Sequence, residues 1–401
     1  MITPLKVQAI DNATLDEMGF SWHTDSDGTQ YVADEMVQIS SDEAEAYYKA
    51  ANELYDMYVE AAEYVIENDL FFELGIPFNL IETIKKSWEN DVHWHLYGRF
   101  DLSGGIDGQP IKLIEFNADT PTGLFETAIV QWAMLKANGM DEAKQFNTVY
   151  ESISENFKRL ITLFDDPSEI SKETQKARFE ERYEGWRILF SSIEGSDEEE
   201  VTTKLLKRMA EDAGFVTGFT FLHEVLFDNE SICDKDNQEY EYWFKLFPWE
   251  DISIEEGELA LTLQNILESQ SAIILNPAYT LLFQSKGMLK ILCDLFPHSP
   301  YLLETAYDPL GDKAYVEKKV FGREGANTKF VNADGSIAAQ TQGEYDHYKS
   351  VYQEAVDFPQ DEAGNYYQAG VFFAYEACGL GYRRGGKILD NMSKFVGHVI
   401  R

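Results

Sequence analysis

The sequence runs to 401 residues and sets 33 Lys plus Arg against 71 Asp plus Glu, a formal charge of −38. That excess repels phosphate backbones and anionic lipid heads, which excludes nucleic acid and membrane surfaces as partners and leaves either a solvated acidic coat or steering of a cationic substrate. An apolar fraction of 44%, rich in aromatics, excludes wholesale disorder, and the length points to two or three units, interleaved or in series, rather than a small binding module.

In chain order the first strong signal is a long amphipathic helix. From Ser41, an N-cap candidate followed by acidic residues, apolar and aromatic positions recur at three and four through Tyr47, Tyr48, Ala51, Leu54, Tyr55, Tyr58 and Val59. At that spacing the tyrosines read as a packed face rather than a binding surface. Residues 95–119, HLYGRFDLSGGIDGQPIKLIEFNAD, read as two extended runs around a Gly-Gly, Asp-Gly and Pro connection, the pattern of a β-hairpin with a longer loop. The second run enters a helical pattern, GLFETAIVQWAMLKANG, ending at Gly139. Beyond it, NTVYESISENFKRLITLF reads as helix, WRILFSSI as a buried strand, EEEVTTKLLKRMAEDAG as a helix closed by Gly214, and YEYWFKLFPWE as extended and aromatic. The acidic run 197–200 reads as a solvated helix start.

SAIILNP is a short strand ended by Asn-Pro, and LLFQSKGMLKILCDLFP is a helix with Lys286 near its start. AYVEKKVFGREGANTKFV reads as strand, Gly-bearing loop, strand, and YYQAGVFFAYEACGLGYRRGGKILD supplies two strands about a connection containing Gly379. No internal repeat or flexible linker is visible, so an α/β fold with substantial antiparallel sheet is expected. Cys233, Cys293 and Cys378 show no CxxC or CxxH spacing, which points away from disulfides and thiolate zinc. The N-terminus has no apolar run with a basic flank, and no stretch of roughly 18 apolar residues occurs, so a cytoplasmic protein is expected.

The chemistry concentrates in LIEFNADTPTG, residues 113–123. On a strand, Glu115, Asn117 and Asp119 share one face while Ile114, Phe116 and Ala118 take the other, toward the core. Arg99 and Asp101 have the same spacing on the preceding strand, and hairpin pairing would put Asp101 beside Glu115 and Asn117. Two carboxylates and a carboxamide oxygen are hard ligands of the kind magnesium takes alongside nucleotide phosphates; the same alternation also describes an ordinary half-exposed strand. Thr120, Thr122 and Gly123 lie where the helix begins, with N–H groups and hydroxyls that suit an anion or simple N-capping. In EKKVFGREGAN, Lys318 and Lys319 end a strand, and Gly322 and Gly325 permit a loop whose backbone can approach phosphates. It is neither a Walker A nor a Rossmann motif, and a surface hairpin has the same letters.

GRFDL, IEFNADTPTG, WFKLFPWE, QSKGMLKILCDLFP, YVEKKVFGREGAN, VYQEAV and SKFVGHVI, in this order over roughly residues 90–401, resemble the glutathionylspermidine synthase family, in particular its synthetase-only members. The resemblance implies an ATP-grasp fold and a ligase that joins an acid to an amine through an acyl phosphate, using ATP and Mg2+. It implies that Asp101, Glu115 and Asn117 hold magnesium and that Arg99 helps hold the reacting carboxyl and the transferred phosphoryl group. Thr120 and Thr122 fall where glutathione-using members contact the acid through serines. Lys286 and Lys318 correspond to ATP-gripping lysines, and Gln353 and Glu354 to the segment beside adenine. Gly322, Glu324, Gly325 and Asn327 belong to the phosphate loop, with Glu324 as an additional metal or loop residue. Arg383 is similar to an arginine near the reacting phosphoryl group, Arg384 being the other candidate. Lys319 stands where relatives often have proline.

The resemblance further implies three parts: about 1–150 for metal and acid, 151–275 as an α/β pre-ATP-grasp part, and 276–401 for ATP. The Cys–His amidase of bifunctional members has no expected counterpart, since no cysteine precedes Cys233. The implied acid is glutathione or another peptide or small molecule, and the implied amine a polyamine or another amine; no motif marks the polyamine-reading residues or an oligomeric state. A non-catalytic ATP-binding regulatory or scaffold protein of the same fold is the alternative.

Overall fold

The helix expected from residue 41 forms as Ser41–Glu67, but its cap is Ser40, one residue earlier: the Ser40 hydroxyl accepts from the Glu43 N–H, and the Glu43 carboxylate accepts from the Ser40 N–H. The computed structural model describes residues 1–162, 187–228, 231–255, 257–390 and 392–401. Within the helix Tyr47, Ala51, Leu54, Tyr58 and Val65 are fully buried, so the tyrosine periodicity is a core face.

That face lies on a seven-stranded sheet, in spatial order Leu5–Lys6, Val32–Ile39, Lys394–Ile400, Glu376–Gly385, Tyr366–Ala374, Gly98–Ser103 and Lys112–Asn117. All neighbours are antiparallel except Val32–Ile39 beside Lys394–Ile400. Phe100 and Phe116, opposite each other in the expected hairpin, stack at 3.8 Å, and Tyr58 packs 5.2 Å from Phe116. Burying each such ring contributes about 2 kcal/mol, which ties helix to sheet behind the polar face of the hairpin.

A second, four-stranded sheet is parallel, in the order Ile273–Leu275, Tyr242–Lys245, Arg187–Ser192, Val216–Phe221. A third, five-stranded and antiparallel, runs Thr305–Ala306, Ser350–Glu354, Tyr315–Lys319, Lys329–Val331, Ile337–Gln340. The first sheet therefore takes strands from both ends of the sequence. Leu163, Phe164 and Trp186, assigned from sequence to a helix end and a strand start, lie outside the described residues.

Several local departures from the sequence pattern have identifiable causes. The helix expected over 123–139 carries a π-turn at Glu126–Val130 before its α segment Gln131–Ala137. Extension along YEYWFKLFPWE stops at Lys245, and a helix starts at Trp249 directly after Pro248. The expected helix around Lys286 is two helices, Thr280–Gln284 and Met288–Leu295. At the break the Ser285 hydroxyl donates to the Leu74 carbonyl at 2.6 Å, and the Lys286 N–H donates to the Val320 carbonyl at 2.9 Å.

Gly379 lies inside a strand rather than in its connection, which is Tyr375 with φ +70°. A Cβ at Gly379 would meet Val149 at 2.2 Å, so close packing explains the glycine. The three cysteines are free, and no described helix is long and apolar enough to cross a membrane.

Candidate active site

The hairpin puts its polar residues together as the alternation required: Arg99 pairs with Asn117 in register, and Asp101 with Glu115. One bulge changes the expected faces. The register slips between Asp101 and Leu102, leaving Ile114 without a partner, and Ile114 lines a cavity instead of entering the core with Phe116 and Ala118. Asp119 also departs from expectation. The strand ends at Asn117, so the alternation does not reach Asp119, which turns inward, fully buried, and pairs with Lys245 at 3.1 Å.

The cavity, about 690 Å3, lies where the three sheets meet and is lined by Arg99, Asp101, Glu115, Asn117, Thr120 and Thr122 from the first. Lys286, Lys318, Gly322, Glu324, Gly325, Gln353 and Glu354 line it from the ATP-binding part expected at 276–401, and Arg383 from the strand Glu376–Gly385. Asn327 does not reach it. Its amide turns away, donating to Asp346 at 2.8 Å and accepting from the Tyr345 N–H at 2.9 Å. Arg384 points to the opposite side of its strand, forms an ion pair with Glu35, and lines a separate smaller pocket.

Charge is arranged in contacting pairs. Arg99 grips Asp101 in two bonds, Nε to Oδ1 at 2.7 Å and Nη2 to Oδ2 at 3.0 Å, and also donates to the Thr122 carbonyl. The Asn117 amide donates to Asp101 at 3.1 Å and to Glu115 at 3.4 Å. Lys286 Nζ stands 3.1 Å from Glu115 Oε2 and donates to the Gly322 carbonyl at 2.6 Å. Lys318 donates to Gln353 at 2.8 Å and to the carbonyl of the bulged Ile114 at 3.4 Å.

Burial opposes charge throughout, and the neighbours decide the outcome. Burial would raise the Glu115 carboxyl, yet the Lys286 and Lys318 ammoniums hold it at about 2. Burial pushes Asp101 up against the pull of Arg99. Lys318 falls to about 8, since burial outweighs the attraction of Glu115.

Two groups that sequence reasoning passed over stand on this wall. Arg323 donates to Glu250 at 2.5 Å and to the Thr120 hydroxyl at 3.3 Å, so the glycine loop is tied to the helix that starts at Trp249 and to the turn that follows the hairpin. It was the one cation inside GREGAN, a signal present in the letters. Glu198 and Glu199, which read in the sequence as a solvated helix start, also line the cavity. Burial, then the charge of Glu126, pushes the Glu198 carboxyl up to about 8. No sequence signal separates them from an ordinary acidic first turn.

Among the described residues no group of three or more His, Cys, Asp or Glu could hold a metal unaided. Asp101, Glu115 and Asn117 instead offer two carboxylates and one amide, which suit a magnesium ion completing its shell with phosphate and water once the Asn117 amide, whose NH2 here donates to both carboxylates, turns its oxygen to the metal. Lys286, Lys318, Arg99 and Arg383 bring four cations to the same wall, as a polyphosphate requires, and the Arg383 Nε is buried without a partner. The residues present fit a metal-bound nucleotide.

Known proteins resemble the chain over nearly its whole length. Residues 3–401 match the model of the family described as glutathionylspermidine synthase preATP-grasp. A Haemophilus influenzae protein named as a candidate acid–amine ligase is 29% identical over 403 residues, 95% of this chain and 94% of its own. The bifunctional glutathionylspermidine synthetase/amidase of Escherichia coli is 25% identical over 351 residues, which cover 81% of this chain and 52% of that one; the chain thus spans about half of that relative's length. A solved glutathione synthetase-like effector from Globodera pallida matches with a TM-score of 0.57 at 12% identity, over 99% of this chain and 100% of that one, a likeness of fold. The mixed α/β architecture is of the ATP-grasp type that the sequence led one to expect.

Proposed function

The chain belongs to the glutathionylspermidine synthase preATP-grasp family, and from that premise we propose that it is an ATP-dependent carboxylate–amine ligase of the carbon–nitrogen bond-forming type, working through an acyl phosphate. A carboxylate does not condense with an amine in water unaided; taking the γ-phosphoryl group of ATP gives it a leaving group. The observation that carries the reading is the meeting of Glu115 with Lys286, from segments distant in sequence, on one wall with Asp101, Asn117, Lys318 and Arg383.

In this reading Asp101, Glu115 and Asn117 hold Mg2+, which would neutralise charge on the transferring phosphoryl group. Lys286 and Lys318 grip the phosphates, Gln353 and Glu354 flank adenine, and loop 321–327, with Gly322, Glu324 and Gly325, covers the phosphates against water. Thr120, Thr122, Arg99 and Arg323 orient the acid, and Arg383 faces the phosphoryl group in flight. Glu198 and Glu199, with Trp22 and Tyr31 on the same wall, offer an acidic and aromatic surface for a cationic amine, a polyamine in the first instance. Residues 1–150 thus supply the metal ligands, most of the acid contacts and the aromatic part of the amine surface, 151–275 the two carboxylates of that surface, and 276–401 the nucleotide grip together with Arg323. The acid is glutathione or another peptide.

A screen for ADP release across acids and amines, with the condensed product weighed by mass spectrometry, tests the proposal. Nucleotide binding without ADP release under any pairing would replace it with a non-catalytic role.

A further inference from the structure

Asp119 and Lys245 are both fully buried and form an ion pair. Lys245 Nζ donates to both Asp119 oxygens, at 3.1 and 3.4 Å, and to the Phe247 carbonyl at 2.7 Å, and it lies 4.5 Å over the Trp249 ring. Asp119 Oδ2 also accepts the Trp249 N–H at 3.0 Å. The backbone on either side is held equally tightly. Gln284 accepts from the N–H groups of Ala118 and Asp119, and Asn276 donates to the Ala118 and Asp119 carbonyls. Lys245, Trp249, Gln284 and Asn276 thus fix residues 118 and 119.

A buried ion pair loses so much hydration that an apolar pair of similar size is often as stable or more so. Stability alone therefore gives no reason for these charges, but position does. The next residues are Thr120, whose hydroxyl accepts from Arg323, and Thr122, whose carbonyl accepts from Arg99. Trp249, which pins Asp119, is followed directly by Glu250, which pins Arg323 of the glycine loop. We propose that Asp119 and Lys245 are positioning residues: they set the turn 120–123 that presents the acid-orienting groups, and through residues 249–250 they tie that turn to the loop over the phosphates. The functional half of this proposal rests on the ligase reading given above; the structural half does not.

The test replaces the pair at once by apolar groups, Asp119→Leu with Lys245→Met, and separately by a hydrogen-bonding neutral pair, Asp119→Asn with Lys245→Gln. In the second pair the new amide groups can reproduce the contacts to Trp249 N–H and Phe247 carbonyl. Three readouts are taken: thermal melting, amide hydrogen exchange along residues 118–123, and ADP release with glutathione and spermidine as probes. The proposal expects the apolar pair to melt no lower than the parent, yet to exchange at least about tenfold faster over 118–123 and to lose about 10²-fold in kcat/KM for the acid. The amide pair should recover most of both.

Unchanged exchange and turnover in the apolar pair would overturn the proposal, as would a general collapse of melting with exchange raised everywhere in both variants. A parent chain that releases no ADP with any acid and amine would sink the ligase reading, and the exchange result would still decide the positioning role.

Discussion

Lys286 Nζ sits 3.1 Å from Glu115 Oε2, joining a residue at a helix break to the second strand of the hairpin in the seven-stranded sheet. The contact depends on the break itself, because a continuous helix would keep the Lys286 N–H in its own ladder instead of passing it to Val320. It brings the groups proposed to hold the metal and the phosphates within bonding distance, and several expected outcomes descend from it.

Replacing Glu115 or Asn117 by Ala should lower ADP release by at least about 10²-fold, since a comparable electrostatic contact is worth about 3 kcal/mol in the transition state. Thermal melting, measured alongside, separates loss of chemistry from loss of fold. Near-normal turnover in both variants would remove the metal assignment.

Lys318 has its ammonium pushed down to about 8 by burial. It carries its charge below that value and loses it above, so affinity for a non-hydrolysable ATP analogue with Mg2+ should weaken as pH rises through and beyond 8. A bound phosphate favours the charged form and moves the midpoint upward. Titrations across this range should show the slope in the parent chain and a flatter profile in Lys318→Met; equal slopes would show that another group is responsible.

At Glu198 the direction is reversed. Its carboxyl, raised to about 8 by burial and by Glu126, is neutral below that value and charged above, so KM for a polyamine should fall as pH rises through 8. Glu198→Gln should remove that dependence and raise KM. If the acidic surface also steers the amine, kcat/KM falls steeply with added salt in the parent chain; a salt-insensitive rate would leave the charge of −38 as a solvation coat only.

Much of this arrangement was legible in the letters. Period-two alternation in GRFDL and LIEFNAD found the hairpin and its polar face because strand geometry offers few alternatives, and the glycines of FGREGAN announced a loop. What escaped depends on contacts that no local pattern encodes. The Ile114 bulge follows from pairing across strands. The inward turn of Asp119 follows from a lysine in another sheet, and the cavity role of Glu198 from where its helix docks. Asn327, by contrast, shared the motif but not the cavity: it sits at φ +50° and spends its amide on the neighbouring turn.

Three buried histidines should make the fold sensitive to acid. Burial holds His93 and His95 down to about 4 and His398 to about 3, against an ordinary value of 6.5. Their neutral rings favour the folded chain fully above 6.5, and that stabilisation, on the order of 3 kcal/mol for each of the first two, is lost as pH falls toward 4. Urea midpoints should therefore drop between pH 7 and 5, and drop less in His398→Gln after correction for its own destabilisation. A flat midpoint would mean that these rings are charged or solvated.

The hairpin that bears the candidate metal ligands finds its inner neighbour, Tyr366–Ala374, only near the far end of the sequence. Until that strand arrives, Phe100 and Leu102 lie along an open edge with unclaimed backbone donors and acceptors, the kind of surface that recruits other copies. Refolding yield should accordingly decline with protein concentration, and the cavity should be among the last features to appear, after the long helix has already coiled.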